Sequence, residues 1–172
     1  VSIHLPGELD ALRALLAEWV ATGDEQVIVI GEDRGADHGR LCWDALEPTG
    51  LLHPHCGHCR DHGGPRTDRE LHERLDVRVP AELAADWMAA TLWQDLVFRS
   101  DAGPGPRAVT DAGALVALLG PDADWRANGH AAHPAPGGAD RGWRSVTECT
   151  FDAALVGIGG GYAVVVVAVG ED

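Results

Sequence analysis

Residues 53–62 read His-Pro-His-Cys-Gly-His-Cys-Arg-Asp-His, four histidines and two cysteines in ten positions. Within them His53, Cys56, Cys59 and His62 recur at every third place, an H-x2-C-x2-C-x2-H pattern. Two thiolates and two imidazoles are a favoured donor set for tetrahedral zinc, and a C-x2-C turn containing glycine lets both sulfurs face one ion. The spacing therefore predicts zinc on these four residues. Zinc staples usually gather two ligand pairs from separated segments, whereas here all four are local. Cys42, His38, His55, His58 or His72 can stand in for one of them.

Fragments of the same segment invite other chemistry. Cys56-Gly57-His58-Cys59 is identical to the active-site tetrapeptide of protein disulfide isomerases, and the resemblance covers only those four residues. In thioredoxin-like folds that motif opens a helix whose N-terminus lowers the thiol pKa. Here Arg60-Asp61-His62-Gly63-Gly64-Pro65 follows and cannot start an apolar helix, so only the capacity of the thiols to oxidise carries over. A zinc deaminase needs H-x-E upstream and P-C-x2-C. His55 separates Pro54 from Cys56, and no H-x-E precedes them. A metalloprotease H-E-x2-H fails at His72-Glu73, where Asp76 stands in place of the second histidine.

Ser2, Ser100 and Ser145 are the only serines, and none lies in a G-x-S-x-G elbow. Cys149 reads as a small buried hydrophobe in a strand. Trp125 and Trp143, beside a glycine-rich loop, can line a groove, and His130 and His133 read as solvated loop residues. Gly159-Gly160-Gly161 lacks the lysine and helix start of a phosphate loop. No catalytic set emerges.

The chain carries 27 acidic and 13 basic residues, all of the latter arginine, for a net charge of −14. None of the arginines forms a run able to track phosphates, so nucleic-acid binding is not expected. A field of this sign steers toward a basic protein partner. The longest apolar run, residues 162–169, is far short of the roughly 20 residues a helix needs to span a bilayer, so no membrane association is expected. The acidic first ten residues do not resemble a secretory signal, and four scattered cysteines do not make a disulfide scaffold. Both point to the cytoplasm. The arginine, alanine and glycine bias reflects a GC-rich genome.

The elements that must position the cluster follow from periodicity. Residues 8–21 and about 80–97 show apolar stripes of amphipathic helices, the second started by Pro80. Thr67 and Glu70 have capping-box spacing, and Thr110 can cap a helix ending near Leu119. Residues 27–30 read as a strand buried on both faces and residues 40–43 as a second strand. The end of the chain, residues 146–158 and 162–169 around three glycines, reads as a β-hairpin with its second strand central in the sheet. Residues 47–65 read as an irregular His/Cys loop and 121–142 as an exposed flexible one. The expected fold is a single domain over residues 1–172, α/β or α+β, with a small mixed sheet packed by about four helices. The expected function is an acidic, non-catalytic binding protein of the inhibitor or immunity type with structural zinc. The alternative is a small zinc enzyme in which Asp61 or Glu32 is the base.

Overall fold

Four consecutive valines, Val164 to Val167, cannot be half-solvated, because successive side chains of a strand point to opposite faces. In the computed structural model both faces are covered. Residues 7, 9–11, 13–14, 26–53, 63–93, 104–129 and 143–170 are described. Five strands, β1 (Gln26–Glu32), β2 (Val77–Val79), β3 (Asp124–Ala127), β4 (Phe151–Gly159) and β5 (Tyr162–Gly170), form one sheet of order β1-β5-β4-β3-β2. Every pairing is antiparallel. The fold is thus α+β, and the expected mixed sheet is antiparallel throughout its described strands.

The described helices are α1 (His38–Leu46), α2 (Asp68–Arg74), α3 (Ala81–Trp93) and α4 (Pro106–Leu119), with a short 3-10 turn at Glu47–Thr49. On one face Val164, Val166, Leu155, Trp125 and Ile30 pack against Trp87, Met88 and Leu92 of α3 and Leu115 and Leu119 of α4. On the other, Val165, Val167 and Val156 pack against Cys42 and Leu46 of α1, Leu71 of α2, and Val146 and Cys149. Helical residues near the N-terminus join the first face through Leu9. A Cβ on Gly157 would overlap the Trp125 ring, so glycine there is what lets the buried indole lie across β4.

The hairpin is found as read, and so is the Thr67 N-cap, with the Glu70 carboxylate reaching back to Arg66 N at 2.6 Å. Thr67 accepts from Glu70 N at 3.1 Å, and the hairpin turns through Gly160 and Gly161 with φ of 58° and 84°. Several boundaries move. Residues 40–43, expected as a strand, lie inside α1, because Asp37 caps the helix by accepting from Arg40 N and Arg40 pairs with Asp44 one turn on. The α4 helix begins at Pro106, four residues before Thr110, whose hydroxyl bonds back to Pro106 O. β3 occupies part of the expected 121–142 loop, since Trp125 and Ala127 alternate inward. β1 is an edge strand with Val29 43% exposed, and is not buried on both faces. The remainders of the expected 8–21 and 80–97 helices and of the 121–142 loop lie outside the described residues. Among the described residues no helix is long and apolar enough to cross a membrane.

Candidate functional site

Of the four predicted zinc ligands, His53 is described and exposed; Cys56, Cys59 and His62 lie outside the described residues, as do His55, His58 and Asp61. Among the described residues no group of three or more His, Cys, Asp or Glu side chains is placed to hold a metal. Of the stand-in ligands, Cys42, His38 and His72 are described. Cys42 is fully buried in the second core, where burial, reinforced by the charge of Asp152, pushes its thiol far up. That is the opposite of what a thiolate ligand requires. His38 is also buried, its Nε2 donating to Asp124 O at 3.0 Å, and burial holds it below the usual imidazole value. His72 is exposed on α2, with Nδ1 at 3.4 Å from Asp37 Oδ1.

Both flanks of the His/Cys segment are held at one place. Leu51 O accepts from Glu148 N at 2.9 Å. On the other side, Gly64 lies against Thr147 O and the Glu148 carboxyl so closely that a Cβ would not fit. Arg74 Nη1 ties the two segments together, donating to Gly63 O and Ser145 O at 2.6 Å each. Glu148 is 4% exposed, and its carboxylate faces the half-exposed Arg66 guanidinium at 3.6 Å.

The strap holding these flanks, residues 143–150, is organised by Asp152, which is 2% exposed. Its Oδ2 accepts from Val146 N at 2.9 Å, Thr147 N at 2.8 Å, Thr147 Oγ1 at 2.8 Å and Ser145 Oγ at 3.0 Å. Its Oδ1 takes Asn128 Nδ2 at 2.7 Å and Trp143 Nε1 at 3.2 Å. Burial pushes the Asp152 carboxyl up, while the bonds from Thr147, Ser145 and Val146 pull it back. Every neighbour is a donor, a shell matched to the acceptor-only ionised carboxylate. These bonds also explain why β4 starts at Phe151 instead of residue 146: the backbone of Val146 and Thr147 is turned onto a side chain. Sequence reading missed Asp152 and its partner Asn128. The available signal was parity, since Asp152 shares a face with the buried Ala154 and Val156.

The same network fixes Trp143. Its Nε1 donates to Asp152 O at 2.7 Å while its ring stays 41% exposed. It borders a groove of about 480 Å³ with Gly63, Glu70, Glu73, Arg74 and Arg144. Trp125, expected with it, is instead fully buried in the first core. A second groove, about 500 Å³, lies between the N-terminal helical residues and β1 and includes Arg13, Glu32, Arg34 and Tyr162. Glu32 pairs with Tyr162 at the hairpin end of the sheet, whereas Asp152 pairs with Val169 at the other. The seven-residue step from Asp152 to Gly159 is roughly 24 Å along the strand. Glu32 is therefore remote from the strap that holds the His/Cys flanks.

Comparison with protein-family models, curated proteins and solved structures finds no match to this chain.

Proposed function

We propose that this chain is an acidic, non-catalytic binding protein, an inhibitor or immunity-type partner of a basic protein, with a structural zinc site on His53, Cys56, Cys59 and His62. The observation that carries the reading is Trp143. An exposed tryptophan whose N–H is already committed to Asp152 presents a rigid apolar plane at the edge of a groove, at little entropic cost on binding. The net charge of −14 supports a basic partner, because complementary fields raise encounter rates. Two flanks pinned to one strap support a closed loop that a metal would staple. The buried, unoxidised Cys42 suits a reducing compartment, the cytoplasm.

Two measurements test this. Elemental analysis of protein purified without chelator should give one zinc per chain, with X-ray absorption reporting two sulfur and two nitrogen donors. A site with an open, water-bound position would favour the enzyme reading with Asp61 as base. For binding, immobilised wild type should retain a basic protein from the native organism that elutes with salt, and the purified pair should re-form. Trp143→Ala should lose it when assayed well below its own melting temperature, where the variant is folded. Equal retention by Trp143→Ala overturns the groove as the recognition face.

A further inference from the structure

Among the described residues the sheet ends in two edges, and the sequence treats them differently. At one, β2 has only three residues, with exposed Arg78 at its centre and Pro80 directly after it. Short, charged, proline-bounded edges resist further pairing. At the other, β1 runs for seven residues, with no proline and no charge before Glu32. Its outward-facing backbone can be identified from two bonds. Asp33 N donates to Gly161 O at 2.9 Å, in register with the β1–β5 ladder. Arg13 Nη2 approaches Ile30 O at 3.5 Å. Because a strand alternates its bonding direction, odd residues face β5, while Gln26, Ile28, Ile30 and Glu32 turn N–H and C=O away from the sheet. Among the described residues, the long bond from the half-exposed Arg13 is all that meets them.

We propose that β1 is a homodimer edge: two copies pair β1 against β1, antiparallel, about a two-fold axis through Val29, making one continuous sheet. The strand is self-complementary in this register. It overlaps all seven residues, and it sets Gln26 opposite Glu32 of the partner subunit and Ile28 opposite Ile30 of the partner subunit. Both are pairs of outward-facing residues, each able to exchange two backbone bonds. Within these seven residues no like charges meet. Val29, mid-strand and 43% exposed, packs on its own symmetry mate. A two-fold contact requires one patch to complement itself, and a strand with an apolar centre and mutually compatible polar ends does so. This favours a second copy over an unrelated strand. The inference does not depend on the binding role proposed above.

Sedimentation velocity over a concentration series tests it. Wild type should dimerise, more strongly as salt screens the charge of −14 on each chain. Val29→Lys and Val29→Glu should each be monomeric, because the substitution places like charges together on the axis, and mixing the two should restore a dimer containing one of each. Val29→Cys, a small change at an exposed position, should give a covalent dimer on mild oxidation with the link mapping to position 29. Cα atoms of such a non-hydrogen-bonded pair lie about 4.5 Å apart, within disulfide reach. A wild type that stays monomeric at all salt concentrations overturns the proposal. So does a Val29→Lys variant that dimerises like wild type, or the absence of a link at position 29.

Discussion

Replacing Asp152 is the most direct test of how the strap is held. Of the six donors on its carboxylate, two keep another acceptor when it is cut away. Trp143 Nε1 retains Asp152 O, and the Ser145 hydroxyl retains Thr147 O. Val146 N, Thr147 N, Thr147 Oγ1 and the Asn128 amide hydrogen not held by Arg144 O are left stranded in a buried site. Each stranded donor costs about 1–3 kcal/mol, reduced where water enters the vacated space. Asp152→Ala should therefore lose about 3–5 kcal/mol, a large share of the roughly 5–15 kcal/mol of an ordinary domain. Asp152→Asn is the informative companion. With its amide nitrogen on the Oδ1 side it strands one Asn128 hydrogen, while Trp143 keeps the backbone carbonyl of residue 152, so it should lose only about 1–2 kcal/mol. Urea unfolding with linear extrapolation measures both, with unchanged m-values showing that the compared states are the same. The reasoning is refuted if Asp152→Ala costs under about 1 kcal/mol, or if the asparagine variant is the less stable of the two.

Gly157→Ala drives a methyl into the Trp125 ring and should cost about 2–3 kcal/mol in the same assay; a neutral result would mean the indole can shift. Glu148 is buried beside an Arg66 that is half in solvent, so removing its charge with Glu148→Gln should be neutral or stabilising within about 1 kcal/mol, while Arg66→Ala should destabilise. His38 titrates below its usual value of 6.5 because of burial. A depressed folded-state value means the unfolded chain takes up the proton first, so His38 contributes stability above about pH 6.5 that is lost as pH falls toward its lowered value. A pH series of denaturant midpoints should accordingly be flatter over that window for His38→Gln than for wild type.

Local rules carried the reading wherever the deciding interaction was itself local. The Thr67 cap on Glu70 N and the Gly160–Gly161 turn are short-range geometries, and both are present. The apolar stripe of α3 and the central β5 were legible for the same reason, since each pattern is a direct record of which faces meet a core. Residues 40–43 failed because a short apolar run has no period of its own; the Asp37 cap outside the run made it helical. β3 failed because its four residues sit in glycine- and alanine-rich chain, and its strand state comes from pairing with β2 and β4.

The candidate site divides along the same line. The sequence by itself determined the spacing of His53, Cys56, Cys59 and His62 on which the zinc proposal rests, the acidity, and the apolar runs that demand a sheet buried on both faces, because composition and spacing are properties of the chain. Tertiary structure alone decided that the flanks of that segment meet one strap, that Asp152 anchors the strap, and that Trp143 is held outward while Trp125 is buried. Those outcomes depend on which groups share a buried space after folding. A carboxylate becomes a hub, and a tryptophan a presented surface, only through neighbours that are distant in sequence.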